Sequence, residues 1–409
     1  MSAVICRQVL AAGLFVWAVG VQAELSSTAD RLYQLVDARL ALMEAVASHK
    51  WQAGDPIEDP AREARVVHAG VADGLRQGFV PATSAALFEA QIAAAKSIQS
   101  YWFARWQSGE RPRPADDLAT IIRPELLRLG EQIMVAAAQP GITHSRELFD
   151  AQVRSEGLSE RDRASLFEAL ASLRRFASRL EQVLETGELR VGTTGDYAPF
   201  SLKEATGVDY RGIDMDLAAD LAAALGVRMR IVPTSWPTLS GDLQSGAFDI
   251  AMSGVSRTLD RAKVGYLSIA YFTDGKSPIV RCADVERFDS LEKIDQQGVR
   301  VIVNPGGTNQ AYVDEHIRHA DVRLHDDNRT IFDGIARGEA DVMITDRIEV
   351  ELRSHLNPEL CPALTGTLTH QEKGYFLPKD IELKTFVDTW LQMRLQDGTV
   401  AAAFDRHMP

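Results

Sequence analysis

The sequence predicts a multidomain protein in which an all-α domain is followed by an α/β domain. At roughly 150 residues per domain, its 409 residues correspond to two or three domains. From Leu25 to about Leu184, apolar residues recur at helical spacing and strand-like runs are nearly absent. From Glu188 onward, short β-rich runs alternate with helical stretches, the pattern of an α/β fold.

Composition and charge limit the classes of partner. Hydrophobic residues make up 45% and charged residues 25%, which is typical of a folded soluble chain. The formal net charge of -13 provides no overall cationic field for a phosphate backbone, so we expect no nucleic-acid partner. The chain has only 3 cysteines and no Cys-His set at zinc-ligand spacing, and we expect neither a metal site nor a cofactor.

The first 23 residues have the pattern of a secretory signal peptide. Arg7 precedes an apolar run over 9–21, and Val21-Gln22-Ala23 is a small-residue cleavage pattern. The run is too short for a comfortable membrane span, so cleavage would leave no stable membrane anchor. We therefore expect export to the periplasm. Cleavage removes Cys6, and pairing of the two remaining cysteines, Cys282 and Cys361, is a hypothesis.

The helical domain is predicted over 24–185 and the α/β domain over 186–409, because Gly187 can end a helix just before the first strand. On the first helix, Arg39 and Lys50 fall on the apolar stripe. Three helical turns separate them, about 16 Å, so they could hold opposite ends of one elongated anion. The alternative is that both side chains reach past the core to solvent.

Two more helices contribute polar residues. Asp59 is a candidate N-cap with Pro60 at the first helical position, which puts Arg62 in the first turn. On the third helix, Gln99 lies on the inward face one turn after Ala95. An inward amide can bind a ligand oxygen, although a neighbouring helix end would satisfy it equally well.

Together these residues resemble the ordered motif of the AroQ-type chorismate mutases, and Lys50-Trp51 followed by 56–59 is similar to their secreted gamma subclass. The resemblance implies a pericyclic conversion of chorismate to prephenate by positioning and electrostatics. Arg39 and Arg62 would bind carboxylates, Lys50 and Gln99 would face the ether oxygen, and Asp59 would bind the hydroxyl. The sequence departs from the family at two positions. The family often has a hydroxyl residue where this chain has Ala95, and an expected arginine falls at Gln132, where Arg123 or Arg128 could substitute.

The second half resembles the family 3 extracellular solute-binding proteins, through 191–200, Gly212 to Asp216 and the stretch from Phe248 to Arg261. The resemblance implies two α/β lobes that close on a small acid, lobe 1 over about 186–280 and 371–409 and lobe 2 over about 281–370. Ser256 and Arg261 would bind a carboxylate, the turn 304–309 would offer donors that include Thr308, and Asp346 would bind an amine.

Within that family, the segments 194–197, 233–237, 274–276, 303–309 and 372–378 resemble the periplasmic cyclohexadienyl dehydratases. The resemblance implies conversion of prephenate to phenylpyruvate, or of arogenate to phenylalanine. Glu372 would be the proton donor, with a pKa raised by burial. Lys276 and Arg261 would bind the anion and Trp236 would pack on the ring. The full set of predicted substrate-binding residues in this half is Asp196, Trp236, Ser253, Ser256, Arg261, Lys276, Asn304, Thr308 and Asp346.

The sequence therefore predicts an exported bifunctional enzyme of phenylalanine biosynthesis, because prephenate is the product of one half and the substrate of the other. One alternative is a periplasmic amino-acid receptor fused to a chorismate mutase, since a fold does not fix a function. Another is that the departures at Ala95 and Gln132 inactivate the helical half. The expected partners are the small molecules chorismate, prephenate and arogenate, and the sequence leaves the oligomeric state open, a homo-oligomer included.

Overall fold

The computed structural model describes residues 28–204 and 209–409. They form two compact units that meet between Phe176 and Ala177. The predicted signal peptide, residues 1–23, lies outside the described residues. Among those residues, no helix is both long and apolar enough to cross a membrane.

The first unit is helical throughout. Its elements are α1 over 28–41, α2 Met43–Ala53, α3 Pro60–Arg76, α4 Pro81–Gln107, a π-helical turn Leu118–Ile122, α5 Arg123–Ala137, α6 Arg146–Gln152 and α7 Glu160–Ala171. The 27-residue helix α4 is central, because it contacts α2, α3 and α7. Its apolar residues, including Leu87 and Ile98, join Leu32 and Val36 of α1 in one core.

Local sequence fixes how α3 begins and how closely it packs. The Asp59 carboxylate accepts a hydrogen bond from the Arg62 backbone amide at 3.0 Å, with Pro60 at the first helical position. Further along α3, a Cβ on Gly70 would lie 2.1 Å from the Phe88 ring of α4. Glycine therefore allows the close approach of α3 and α4, two helices that line the first candidate site.

The second unit has two lobes and begins earlier than expected. The first lobe contains α8 Arg179–Thr186, β1 Glu188–Thr193, β2 Asp196–Tyr197, β3 Ser201–Lys203, β4 Tyr210–Arg211, α9 Ile213–Leu225, β5 Arg228–Pro233, α10 Leu239–Gln244, β6 Ile250–Ala251, α11 Leu259–Val264 and β7 Tyr266–Leu267. After the second lobe, β15 Phe376–Leu377, α16 Ile381–Gln396 and α17 Thr399–His407 return to it. The main sheet has the order β5-β1-β6-β15-β7. Helix α8 packs on β1 and α16, so it belongs to this unit rather than to the helical one, nine residues before the boundary expected at 185/186.

The second lobe is built on a sheet of order β11-β10-β12-β9-β13. Its elements are β9 Lys276–Arg281, a 3₁₀ turn Cys282–Arg287, α12 Leu291–Ile294, β10 Arg300–Val303, α13 Thr308–His316, β11 Asp321–Leu324, α14 Ile331–Ala336, β12 Val342–Asp346, α15 Arg347–Leu356 and β13 Leu360–Pro362. Between the lobes run β8 Phe272–Asp274 and β14 Gln371–Lys373, which pair antiparallel. Because residues 276–280 of β9 pair with β12, β9 belongs to the second-lobe sheet, a few residues before the boundary expected at about 281.

A disulfide joins Cys282 and Cys361, whose Cα atoms are 4.8 Å apart. Cys361 lies on β13 opposite Val280 of β9, so the bond closes the edge of the second-lobe sheet. The two residues are 79 apart in sequence. A crosslink over such a long loop removes much conformational freedom from the unfolded chain.

We expect the double variant Cys282→Ser/Cys361→Ser to be destabilised by about 4.5 kcal/mol in the second unit, the loop-closure value for a loop of this length. Urea unfolding of the full chain, with and without reductant, measures the change. Wild type treated with reductant should match the variant. A midpoint that reductant does not move, with both thiols titratable, would contradict the crosslink.

Candidate active sites

The first candidate site is a cleft in the helical unit. It encloses about 780 Å³ of empty space, part of it open to solvent. The polar residues that line it come from α1 to α5, and they are Arg39, Lys50, Asp59, Arg62, Glu63, Lys96, Gln99 and Arg123. The structure thus brings together all five residues that the sequence analysis placed in this site, and α5 adds Arg123.

Cations dominate this cleft. Arg39 is only 6% exposed, and its Nε has no hydrogen-bond partner among the described residues. Burial lowers the pKa of Arg39 to about 10, with a further contribution from Arg62. Burial also lowers the pKa of Arg62, which faces Arg123 as well. A buried cation without a carboxylate partner is costly, so the cleft is arranged to receive an anion.

Lys50 and Gln99 both line the cleft, and both can form further hydrogen bonds. Burial lowers the pKa of Lys50, whereas Asp59 and Glu63 oppose that shift, and its ammonium donates to the Ile57 carbonyl. The Gln99 amide nitrogen donates to the Ala95 carbonyl at 3.1 Å, and its Oε1 is buried with no partner in the described part of the chain. An amide nitrogen carries two N–H donors, so Gln99 can offer one donor, and its Oε1 acceptor, to a ligand.

The two positions where the sequence departs from the mutase motif have different surroundings. Ala95 lines the cleft, and so does Arg123. Arg128 is half exposed and bound to Glu125, and it lies with Gln132 along a separate surface depression. Of the two arginines considered as substitutes for the one expected at Gln132, Arg123 is therefore the one inside the cleft.

The second candidate site is a narrow cleft between the two lobes of the second unit, enclosing about 310 Å³ of partly open space. The side chains that line it are Tyr197, Trp236, Ser256, Arg261, Asn304, Thr308, Asn309, Asn328, Asp346 and Lys373. Six of these were predicted from the sequence: Trp236, Ser256, Arg261, Asn304, Thr308 and Asp346.

A buried carboxylate, Asp346, is the centre of this cleft. Its Oδ1 accepts from the Lys276 ammonium at 2.7 Å, and its Oδ2 accepts from both the Lys373 ammonium and the Tyr197 hydroxyl. Burial opposes ionisation of Asp346, but Lys276 and Lys373 hold its pKa well below the usual range. Asp346 ends β12 and Lys276 starts β9, so adjacent second-lobe strands supply this pair.

Behind the lining, Lys276 is fully buried and donates to Thr308 Oγ1 at 2.9 Å and to Asn309. On the first-lobe side, Arg261 donates to the Ser256 carbonyl at 2.6 Å, and its guanidinium lies 6.0 Å from the centre of the Trp236 ring. Burial lowers the pKa of Arg261 to about 10. The Trp236 indole donates to Asp196 at 3.1 Å.

A buried acid lies beside the cleft. Glu349 is fully buried in the first turn of α15, and burial raises its pKa to about 7. Its carboxyl accepts from Thr345 Oγ1 at 2.7 Å, and it lies 3.5 Å from the amide nitrogen of Asn328, which lines the cleft. The nearest cation is Arg353 at 3.9 Å. A carboxyl that is partly protonated near neutral pH is a candidate proton donor.

The comparisons with known proteins give matches for both units. Residues 189–409 match the bacterial extracellular solute-binding proteins, family 3. The chain belongs to this family. Residues 22–100 match chorismate mutase type II. The expected fold class is confirmed, an all-α mutase bundle followed by a two-lobed solute-binding-protein fold of type II.

Three similar proteins, each of which matches one half of the chain, together cover both halves. Over 231 residues the chain is 48% identical to the cyclohexadienyl dehydratase of Pseudomonas aeruginosa, a match that spans 56% of this chain and 86% of that protein. Over 170 residues it is 29% identical to the secreted chorismate mutase of Yersinia pestis, covering 40% and 89% respectively. A crystal structure of an ancestral amino acid-binding protein, described as a precursor of cyclohexadienyl dehydratase, is 34% identical, covers 57% of this chain and all of its own, and has a TM-score of 0.54.

Two residues expected in this solute-binding-protein cleft lie elsewhere. Glu372 was expected to be buried, but its side chain is 39% exposed and bound to Arg257. Neighbouring residues of a strand face opposite sides, and on β14 it is Lys373 that points into the cleft. The Ser253 hydroxyl is buried against Thr193 and Thr194, behind the lining. Asp196 borders the cleft through its bond to Trp236.

Four residues that line the cleft were not among the predicted site residues: Tyr197, Asn309, Asn328 and Lys373. Glu349, which lies beside the cleft, was not predicted either. Tyr197 and Lys373 stand inside quoted motifs, next to the residues that were selected. Glu349 lies three residues after Asp346, so its position one helical turn away was a usable signal. Nothing in the local pattern of Asn328 indicated a site.

The uncompensated positive charge in the mutase cleft predicts that the cleft binds an anion but lowers the stability of the ligand-free helical unit. We expect Arg39→Met to stabilise the ligand-free helical unit by about 1–2 kcal/mol, because it removes a buried cation that lacks a carboxylate partner. Scanning calorimetry of the full chain measures this. Arg128→Met, at an exposed ion pair, is the matched control and should change stability by less than about 1 kcal/mol. Destabilisation by Arg39→Met alone would contradict the interpretation.

Proposed function

We propose that this chain is an exported bifunctional enzyme that converts chorismate to prephenate in its helical unit and dehydrates prephenate or arogenate in its two-lobed unit, in phenylalanine biosynthesis. The observation that carries the proposal is that each unit has a buried cationic cleft, and the two reactions share prephenate. The matches to chorismate mutase type II and to cyclohexadienyl dehydratase support it. Residues 1–23 serve as a signal peptide removed on export, with the mature domains near 24–176 and 177–409.

In the mutase reaction no group of the protein forms a bond to the substrate. Arg39 and Arg62 bind the two carboxylates, with Arg123 as an additional cation, and hold chorismate folded so that the new carbon-carbon bond can form as the ether bond breaks. Lys50 and the Gln99 amide donate to the ether oxygen, which gains negative charge in the transition state. Asp59 accepts from the ring hydroxyl. Electrostatic stabilisation by these preorganised donors is the main contribution.

In the dehydratase reaction, the ring carbon-oxygen bond breaks and the hydroxyl leaves as water after accepting a proton. The ring carboxylate leaves as carbon dioxide, and the electron pair of its carbon-carbon bond completes the aromatic ring. Burial raises the pKa of three acids near this cleft, to about 7 for Asp214 and Glu349 and to about 6 for Asp274. Of these, Glu349 is the proton donor, because its carboxyl contacts the side chain of Asn328, which lines the cleft. Arg261 and Ser256 bind the side-chain carboxylate, and Trp236 packs on the ring. Lys276 lies behind the lining, where it donates to Thr308 and Asp346 and adds positive charge near the bound anion.

A receptor function for amino acids is less well supported. In such a receptor, Asp346 would be the partner of the ligand ammonium. Here both of its oxygens already accept from lysine side chains of the protein. That arrangement suits an enzyme for anionic substrates better than a transport receptor.

The Gln99→Leu variant tests the mutase site. We expect chorismate turnover to fall by about 10²-fold, the usual effect of removing one donor to a developing oxyanion, while prephenate turnover is unchanged. Absorbance assays of each step separately measure this. Gln91→Leu is the matched control, since Gln91 is a buried amide on the same helix that does not line the cleft. Equal loss in both variants would point to a folding defect instead.

The pair Glu349→Gln and Glu372→Gln tests the proton donor. We expect Glu349→Gln to lower phenylpyruvate formation by about 10²–10⁴-fold, so that prephenate accumulates from chorismate, and Glu372→Gln to retain most activity. If Glu372→Gln were the inactive variant, the assignment to Glu349 would fail.

The pH profile tests the same assignment. The folded pKa of Glu349, raised by burial to about 7, lies above the ordinary glutamate value of 4.5, so folding favours the protonated form. Dehydratase kcat/KM should therefore be high below pH 7 and fall above it, as the donor loses its proton. For the same reason Glu349 contributes stability below about pH 4.5 that is lost as pH rises through 7. A rate that rose between pH 6 and 8 would contradict the role.

A further inference from the structure

We propose that Lys96 is a further substrate-binding residue of the helical unit, and that its ammonium group binds one carboxylate of the dianionic substrate from the α4 side of the cleft. The inference rests on the proposed mutase function and deepens it. It comes from the position of Lys96 on α4 and from the capacity of its ammonium group to donate more hydrogen bonds than it makes within the protein.

Helix α4 presents one face to the cleft, formed by Ile92, Ala95, Lys96 and Gln99. Three or four residues separate Lys96 from Ile92 and from Gln99, so the three side chains share that face. Ile92 and Ala95 have no polar side-chain atoms, and Gln99 donates to the ether oxygen in the proposed mechanism. Among the described residues, Lys96 is therefore the one cation that α4 brings to the lining.

The other cations of the lining belong to other helices, and they are Arg39, Lys50, Arg62 and Arg123. A dicarboxylate bound by these four alone would have no charged donor on its α4 side. Two acids, Asp59 and Glu63, stand in the lining against the five cations. Asp55 and Arg65, one of each sign, act on Lys50 and Arg62 from outside the lining. The excess of positive charge is thus large enough for both carboxylates of a dianion.

The ammonium group of Lys96 has donors to spare. It donates to Glu63 Oε2 at 3.2 Å, which is its one hydrogen bond to the described residues. An ammonium group has three N–H donors, so Lys96 can keep this bond and still donate to a carboxylate. The ion pair is also partly exposed, with 34% of the Lys96 side chain and 27% of the Glu63 side chain accessible, so its attraction is weak.

Glu63 does not depend on Lys96 for its position. It lies in the first turn of α3, where the helix dipole favours an acid, and its Oε1 accepts from the Asp59 backbone amide at 3.2 Å. A role of Lys96 in holding α3 against α4 is therefore small. Its charge is left for a ligand.

The long side chain of Lys96 can reach a substrate that meets Gln99. The two residues are three apart on α4, about 4.5 Å along the helix axis. A substrate with its ether oxygen at Gln99 therefore brings one of its carboxylates within reach of Lys96. Because Lys96 is more exposed than Arg39, which is 6% exposed, we assign to it the carboxylate nearer the opening of the cleft.

The first test is the steady-state kinetics of chorismate disappearance with the full-length chain. In Lys96→Met we expect KM for chorismate to rise by about tenfold, the typical effect of one charged hydrogen bond. The kcat should be nearly unchanged, because a carboxylate has the same charge in the ground state and in the transition state. Lys96→Arg should restore most of the affinity. Arg105→Met, at a cation of the same helix that pairs with Glu110 and Glu156 outside the lining, is the matched control and should leave KM unchanged.

The two monomethyl esters of chorismate separate substrate binding from a structural role. Each ester lacks the charge of one carboxylate, and each is measured as an inhibitor of chorismate turnover. Lys96→Met should weaken inhibition by one ester about tenfold and leave inhibition by the other unchanged, because Lys96 binds only one of the two carboxylates. An equal effect on both esters would indicate a general disturbance of the cleft and would overturn the proposal.

The outcomes separate this proposal from the mutase function. A KM for chorismate that Lys96→Met does not change overturns the role of Lys96 while the mutase function stands. No chorismate turnover by the wild type refutes the mutase function itself. Thermal unfolding checks that the helical unit is folded in the variant. If Lys96→Met does not fold, Lys96→Gln decides, since glutamine can still donate to Glu63 but has no charge, and a wild-type KM in that variant overturns the proposal.

Discussion

The interaction on which the two-lobed unit depends is the sharing of one buried carboxylate, Asp346, among Lys276, Lys373 and Tyr197. These groups come from the second-lobe sheet, from the connecting strand β14 and from the first lobe. Buried charges are stable only when they are paired and hydrogen-bonded. The network therefore draws the two lobes together around the cleft and, in the same step, makes the cleft cationic. Cohesion of the lobes and selection of an anion have one physical origin here.

The buried cations of the helical unit are arranged differently from those around Asp346. Among the described residues Arg39 has no carboxylate partner, and Arg62 lies near Arg123, so the ligand-free cleft carries unbalanced buried positive charge. A substrate dianion removes that imbalance when it binds. Because the donors are already in place, little reorganisation is needed as charge develops in the transition state. In both units the excess of acidic residues over the whole chain, net -13, says nothing about the sites, since both are locally cationic.

Prediction from the sequence succeeded where residues are close in sequence or follow helical spacing. Arg39, Lys50, Asp59, Arg62 and Gln99 were expected together and line one cleft, because a helix fixes which residues share a face. It failed on β14, where Glu372 and Lys373 are adjacent. Strand pairing decides which of two neighbours faces a cleft, and that pairing involves β8, a hundred residues earlier. Glu349 lies one helical turn after Asp346, but its raised pKa comes from burial, which groups distant in sequence determine.

The sequence by itself determined the two-part architecture and most of the polar residues that line the two clefts. Those features follow from periodicity, caps and the identities of charged residues, which are local properties of the chain. Only the tertiary structure decided the boundary at Phe176, the inward direction of Lys373, the saturation of Asp346 and the raised pKa of Glu349. Each of these depends on which distant groups surround a side chain and how far water is excluded, because burial and neighbouring charge together set what an ionisable group can do.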